Sequence, residues 1–157
     1  MSPRHDRITA FVEKILAHLG ITATLEWKEA GGQETLDIRG EGEDTGPLLA
    51  NGGKVLYAVE YLANLVAGAK GEAEEAKVFL DCNDFRALRS YELELLAKKA
   101  AEKVKMSQHP FPLQPMPANE RRIVHLALVS DTQVKTESQG FGDNRRVIIS
   151  PSVTGDK

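Results

Sequence analysis

The sequence is poor in the residues on which disulfides and metal sites depend. Cys82 is the one cysteine among 157 residues. A single thiol forms no internal disulfide and cannot build a thiolate metal site. The four histidines, at positions 5, 18, 109 and 125, have no partner at metal-ligand spacing. We therefore expect neither a metal nor another cofactor.

Long hydrophobic runs are also absent. No stretch approaches the roughly 18 apolar residues of a membrane span, and the N-terminus has no apolar signal segment. With 41% hydrophobic and 27% charged residues, the composition is that of a folded chain. These features predict a cytoplasmic protein with one ordinary domain or two very small ones.

Catalytic motifs are equally scarce. The acidic run at 41–44 fits a solvated loop better than a pair of catalytic carboxylates, and no serine lies near a histidine in a recognisable motif. Cys82 follows an apolar stretch and fits a core position. The sequence therefore predicts a protein that is not an enzyme.

The net charge of −3 conceals an uneven distribution. Residues 1–85 contain 8 Lys and Arg against 15 Asp and Glu, whereas residues 86–157 contain 12 against 8. The two parts therefore carry −7 and +4. This asymmetry predicts two modules with different partners, and the basic module is the candidate for binding a polyanion.

Hydrophobic spacing predicts a small α+β module in each part. In the first, helices and strands are predicted at 7–19, 21–29, 35–39, 46–50 (a short helix), 54–68 and 77–81, with an acidic loop at 40–45 and a charged turn at 71–75. In the second, they are predicted at 86–106, 120–128, 134–138 and 147–149. The proline-rich run 109–117 predicts a linker or an edge strand, since proline cannot donate to a ladder.

A glycine-containing break, Ala50-Asn51-Gly52-Gly53, precedes Lys54 and a predicted helix. Glycines let the backbone approach a phosphate, and a helix N-terminus offers unpaired N–H groups. The alternative is that Gly52 and Gly53 only turn the chain.

Arg121 and His125 lie four residues apart, on one face of a predicted helix. A guanidinium and an imidazole one turn apart could hold a phosphate together, whereas Arg122 points elsewhere. The alternative is that Arg121 pairs with a carboxylate such as Glu137 and that His125 is a structural residue with satisfied hydrogen bonds.

A glycine-rich loop, residues 139–144, leads into Arg145 and Arg146. An aromatic side chain, Phe141, beside paired arginines provides a stacking surface and charge, as single-strand binding requires. The alternative is that Phe141 folds back onto the core and the arginines are merely solvated.

Four stretches together resemble the SpoIIIJ-associated (Jag) family. They are Lys54–Leu62, Pro115-Met116 ahead of Glu120-Arg121-Arg122-Ile123-Val124-His125, Thr136–Gly140 and Arg145–Ile149. That family joins a prokaryotic-type (type II) KH domain to an R-3-H domain, named for an Arg and a His separated by three residues. The resemblance implies a KH-like domain at 1–85, an R-3-H domain at 86–152 and a flexible tail at 153–157.

The resemblance also implies function. It points to single-stranded RNA as the ligand, with single-stranded DNA as an alternative, and to post-transcriptional control linked to cell envelope growth and division. A second small KH protein or self-association is the implied protein contact. The implied nucleic-acid-binding residues are Arg121, Arg122, His125, Phe141, Arg145 and Arg146.

The KH-like loop departs from the family's G-x-x-G pattern. Ala50 replaces the first glycine, and no basic residue occurs before Lys54. We expect a restricted backbone and fewer phosphate contacts, and hence weak RNA binding at Ala50-Asn51-Gly52-Gly53-Lys54. The competing hypothesis is that this half serves as a protein-interaction or dimerisation surface.

Overall fold

A computed structural model describes residues 2–68 and 77–152 of the chain. Two separate hydrophobic cores divide it into two units, Met1–Arg86 and Ala87–Lys157. Each unit combines helices with a three-stranded sheet, so the predicted α+β class is confirmed. The predicted charged turn at 71–75 and the predicted tail at 153–157 lie outside the described residues.

The first unit is built from two helices and a mixed sheet. Its elements are α1 (Pro3–His18), β1 (Thr24–Ala30), β2 (Gln33–Arg39), α2 (Gly42–Gly68) and β3 (Phe79–Cys82). The sheet order is β1-β2-β3, with β1 antiparallel and β3 parallel to β2. Gly31 and Gly32 form the hairpin turn with φ of 59° and 77°, the positive values that a two-residue type I′ turn requires.

The core of the first unit lies between the helices and one face of the sheet. It contains Ile8, Val12 and Leu16 of α1, Leu36 and Ile38 of β2, Leu56, Val59 and Ala63 of α2, and Leu80 and Cys82 of β3. As predicted, Cys82 is a core residue, and burial raises the pKa of its thiol to about 11. The thiol therefore stays protonated near neutral pH.

The prediction of a loop over residues 40–45 is wrong in its second part, because α2 begins at Gly42. The Thr45 side chain is buried and donates a hydrogen bond to the Glu41 carbonyl. From the segment that follows β3, the Asn83 amide donates to the Gly40 carbonyl and to Thr45 Oγ1. These bonds hold the acidic segment in a helical turn.

The second unit packs two helices on an antiparallel sheet. Its elements are α3 (Phe85–Ser107, which starts at the unit boundary), β4 (Phe111–Pro112), α4 (Ala118–Leu128), β5 (Val134–Gln139) and β6 (Arg146–Pro151), with sheet order β4-β6-β5. The proline-rich run contributes β4, so of the two predicted alternatives it forms the edge strand. The core gathers side chains of α3, α4, β5 and β6, among them Leu93, Ala97, Val104, Val124, Val134, Val147 and Ile149.

No helix within residues 2–68 and 77–152 is both long and apolar enough to cross a membrane.

Candidate nucleic-acid interface

Helix α4 is fixed to α3 by a buried ion pair. Glu120 is 1% exposed, and its two carboxylate oxygens accept hydrogen bonds from Arg89 Nε at 2.9 Å and Arg89 Nη2 at 3.0 Å. This two-point geometry restrains the carboxylate in position as well as neutralising it. Because Glu120 directly precedes Arg121, the pair also sets the position of the first candidate binding residue.

Arg121 is held by the backbone rather than by a carboxylate. Its Nη1 donates to the Met116 carbonyl at 2.7 Å, and the Met116 N–H donates in turn to the Arg145 carbonyl at 3.2 Å. Arg121 and Arg145 therefore both lie beside Met116. The alternative pairing of Arg121 with Glu137 is not formed.

His125 lies between two hydroxyl groups of β5. Its Nδ1 is 2.7 Å from Thr136 Oγ1, and its Nε2 is 2.9 Å from Ser138 Oγ. Burial, and secondarily the charge of Arg121, lower the pKa of His125 below its ordinary value. The imidazole is therefore neutral at neutral pH, and both of its nitrogens are engaged within the unit.

Phe141 projects from the hairpin between β5 and β6 and is 90% exposed, so it does not fold back onto the core. The loop is tight at Gly140, where φ is +96° and an added Cβ would lie 2.9 Å from the Asn144 carbonyl oxygen. Only glycine adopts this conformation at low cost. The loop therefore presents an aromatic ring to solvent from a constrained backbone.

The remaining candidate arginines lie on other faces. Arg146 pairs across the hairpin with Gln139, and strand alternation places both on the face opposite Ser138. Arg122 is exposed on α4, about a quarter turn from Arg121. The structure thus places Arg121 and His125 on one face of α4, with the backbone of Arg145 beside Met116, and distributes Arg122 and Arg146 around them.

The charges of this unit are unevenly paired. Arg89 binds Glu120, and Lys105 binds Glu102 at 2.9 Å and Asp131 at 2.7 Å. In contrast, the candidate arginines at 121, 122, 145 and 146 form no salt bridge with any carboxylate in the described part of the chain. Lys98, Lys99, Lys103 and Lys135 likewise form no salt bridge in the described residues, so unpaired positive charge is present at the candidate interface but is not confined to it.

The glycine-containing break of the first unit is a kink within α2. Asn51, Gly52 and Gly53 have positive φ values of 54°, 71° and 77°. Ala50 has φ −57° and ψ 149°, a conformation open to any residue, so alanine is unstrained at the position of the family's first glycine. The absence of basic residues before Lys54 remains the feature that predicts weak RNA contact there.

Sequence reasoning did not single out Thr136 and Ser138 as partners of His125, or Arg89 as the partner of Glu120. Polar residues at alternate positions of β5 are a signal for one strand face, but the sequence does not reveal which helix covers that face. Within the described residues no cluster of three or more side chains could hold a metal ion.

Comparison with known proteins identifies the second unit. Residues 92–151 match the family model of the R-3-H domain. The second unit contains an R-3-H domain. This R-3-H domain includes Glu120, Arg121, His125 and both strands of the β5–β6 hairpin, whereas Arg89, which anchors Glu120, lies just before the matched residues.

The chain is also similar to longer bacterial proteins. It is 34% identical over 147 residues to RNA-binding protein KhpB of Clostridium symbiosum. That alignment covers 92% of this chain and 65% of the relative. It is 34% identical over 111 residues to RNA-binding protein KhpB of Bacillus subtilis, covering 69% and 53% of the two chains. For RNA-binding protein KhpB of Lactiplantibacillus plantarum, the identity is 29% over 136 residues, covering 87% and 41%. The chain therefore spans 41% to 65% of the length of these relatives.

Proposed function

We propose that this protein binds single-stranded RNA through its R-3-H domain and acts in the cytoplasm as a post-transcriptional regulator. The observation that carries the proposal is the pair of arginines beside Met116, Arg121 and Arg145, neither of which has a carboxylate partner in the described residues. The three relatives are each named as RNA-binding proteins. A link to cell envelope growth and division is part of the proposal, on the resemblance to the Jag family.

The arginines and Phe141 contact different parts of the RNA in this proposal. Guanidinium groups bind phosphate through paired N–H donors, which Arg121 and Arg145 can supply to the RNA backbone. The exposed Phe141 ring offers a surface for one base. Because a base must be unpaired to stack on a side chain, this arrangement favours single strands over duplexes. Arg122 and Arg146 add longer-range attraction from neighbouring faces.

We further propose that the first unit is a KH-like domain whose loop, Ala50–Lys54, makes weaker contacts. Its three residues with positive φ directly precede the helical turns that begin at Lys54, and a helix N-terminus suits an anion. Lys54 is the nearest cation in sequence, and the unit is acidic overall. We therefore expect the R-3-H domain to supply most of the affinity.

Alanine substitution of Arg121 or Arg145 is expected to weaken RNA binding about tenfold at low salt, since a charge-assisted hydrogen bond contributes about 1.5 kcal/mol or more. For each phosphate contact removed, the slope of log affinity against log salt should decrease in magnitude by about 0.7. Fluorescence anisotropy with a labelled oligouridylate, repeated over a salt series, measures both quantities. A deoxy-oligonucleotide of equivalent sequence measures the preference for RNA over DNA.

Lys105→Ala is the matched control, because it removes the same charge from the same unit but from a lysine that is already paired. Its affinity and salt slope should stay close to those of the wild type. Absence of RNA binding by the wild type at low salt would refute the proposal, as would equal behaviour of the Arg121, Arg145 and Lys105 variants.

Self-association through the first unit is the second candidate function, and the exposed side of α2 favours it. Val55, Leu62 and Leu65 are 36%, 44% and 53% exposed at helical spacing, with Tyr61 beside them at 63%. Such a continuous apolar stripe is typical of a helix that packs on a partner.

If the stripe pairs two copies of this chain, the double substitution Leu62→Glu and Leu65→Glu should convert a dimer to a monomer in sedimentation equilibrium. Leu19→Glu, at an exposed leucine of the same unit outside α2, should leave the mass unchanged. A monomeric wild type at high micromolar concentration would exclude this function.

A further inference from the structure

Ser138 carries a hydroxyl group that His125 holds in one orientation. Ser138 Oγ lies 2.9 Å from His125 Nε2, and Thr136 Oγ1 lies 2.7 Å from Nδ1 on the other side of the ring. Both residues are partly exposed on the face of β5 that meets α4. The imidazole therefore bridges two hydroxyls instead of projecting into solvent.

The directions of the two hydrogen bonds that join Thr136, His125 and Ser138 depend on each other. A neutral imidazole has one N–H donor and one acceptor nitrogen, so it donates to one hydroxyl and accepts from the other. The hydroxyl that donates to the ring has used its proton. The hydroxyl that accepts from the ring keeps its own proton free for an outside acceptor.

Ser138 is the hydroxyl nearer to the candidate arginines in the hairpin. It lies opposite Val147, two residues from Arg145, whereas Thr136 lies opposite Ile149, deeper along the strand. On the helix side, Arg121 lies one turn before His125 and on the same face. A phosphate held between Arg121 and Arg145 would lie nearer to Ser138 than to Thr136.

We propose that Ser138 is an RNA-binding residue that donates its hydroxyl proton to the sugar-phosphate backbone, and that His125 is a positioning residue that orients this hydroxyl. In this arrangement Thr136 donates to Nδ1, Nε2–H donates to Ser138 Oγ, and the Ser138 proton faces outward. His125 then acts through Ser138 without contacting the ligand. This inference rests on the proposed RNA binding by the R-3-H domain.

Ser138→Ala in the full chain is expected to weaken binding of labelled oligouridylate about tenfold or more, the effect of one hydrogen bond to a charged acceptor. Ser150→Ala is the matched control, because strand alternation places Ser150 on the opposite face of the same sheet. It should bind as the wild type does. Thermal unfolding of each variant checks that the domain is folded at the assay temperature.

Two substitutions at His125 separate positioning from direct contact. A glutamine places its amide nitrogen near the position of Nε2 and can still donate to Ser138, whereas an asparagine reaches only the position of Nδ1. His125→Gln should therefore bind within about twofold of the wild type, and His125→Asn should show the loss seen in Ser138→Ala. The double variant His125→Asn with Ser138→Ala should bind no more weakly than Ser138→Ala by itself, since interacting residues are not additive.

The outcomes distinguish this inference from the proposed function. If Arg121→Ala and Arg145→Ala weaken binding while Ser138→Ala matches Ser150→Ala, the R-3-H domain binds RNA and Ser138 takes no part. If the losses of His125→Asn and Ser138→Ala multiply, or if His125→Gln loses as much as Ser138→Ala, His125 does not act through Ser138. If the arginine variants bind as the wild type does, the proposed function itself fails. Should His125→Asn not fold, His125→Gln and Ser138→Ala still decide between these outcomes.

Discussion

Replacement of Arg89 by methionine is expected to reduce the free energy of unfolding of the second unit by about 3 kcal/mol, the lower end of the range for breaking a buried ion pair. Methionine preserves much of the side-chain volume but leaves the Glu120 carboxylate, 1% exposed, without its cation. The Glu120 carboxylate also raises the pKa of Arg89, as expected for a pair that stabilises both charges. The loss should be seen in urea unfolding followed by circular dichroism.

Two further variants test the cause. Lys105→Met breaks ion pairs with Glu102 and Asp131, both more exposed than Glu120, and should cost about 1 kcal/mol or less. Replacing Arg89 and Glu120 together by methionine removes both charges and should recover most of the stability, since an apolar pair can substitute for a buried ion pair. If Arg89→Met lowers the free energy of unfolding no more than Lys105→Met does, the Glu120 carboxylate does not require Arg89 for the stability of the unit.

Arg89→Met is also expected to weaken RNA binding, although Arg89 is not a proposed ligand contact. Glu120 holds the first turn of α4, and Arg121 follows it directly. Loss of the anchor would leave Arg121 in several orientations, so that binding has to restrict it again. The Arg89 and Glu120 double methionine variant should recover stability more completely than affinity.

Replacement of Gly53 by alanine should destabilise the first unit by about 3 kcal/mol, combining a left-handed backbone with overpacking. Gly53 has φ +77°, and an added Cβ would lie 2.6 Å from Cε1 of the Phe85 ring. Phe85 is itself packed against the first core, so the ring has limited room to move. Fluorescence of Trp27, the one tryptophan, follows unfolding of this unit in urea.

Gly20→Ala separates the two contributions. Gly20 has a similar φ of +70°, but nothing lies within 4 Å of an added Cβ. Gly20→Ala should therefore lower the free energy of unfolding by about 1 kcal/mol, which is the contribution of the left-handed backbone without a collision. Gly53→Ala should cost less free energy of unfolding in a Phe85→Leu background than in the wild type, because the smaller leucine side chain relieves the collision. Equal losses for Gly20→Ala and Gly53→Ala would show that Phe85 can move aside.

Local sequence signals predicted most elements of the fold. Gly31-Gly32 between two alternating segments predicted the first hairpin, and the spacing of Ile123, Val124 and Ala127 predicted α4. These features depend on near neighbours in sequence, whose contribution can be judged without knowing the fold. The proline-rich run was ambiguous because a strand there requires β6 as its partner, and β6 lies more than thirty residues away.

The features that sequence reasoning missed depend on distant partners. The start of α2 at Gly42 relies on Asn83, which bonds to Gly40 from 43 residues away. The anchor of α4 joins Arg89 to Glu120 across 31 residues. At the candidate interface, spacing on α4 placed Arg121 and His125 together, but the hydroxyl partners of His125 come from a strand that only the folded domain brings alongside.

The two arginines beside Met116 have a thermodynamic consequence for the free protein. Positive charges within one domain repel each other, and in the described residues no carboxylate forms a salt bridge with Arg121 or Arg145 to offset that repulsion. An anion that binds only the folded state relieves the repulsion and adds its binding free energy to the stability of the domain. Under the proposed function, occupancy by RNA and resistance of the R-3-H domain to unfolding are therefore linked quantities.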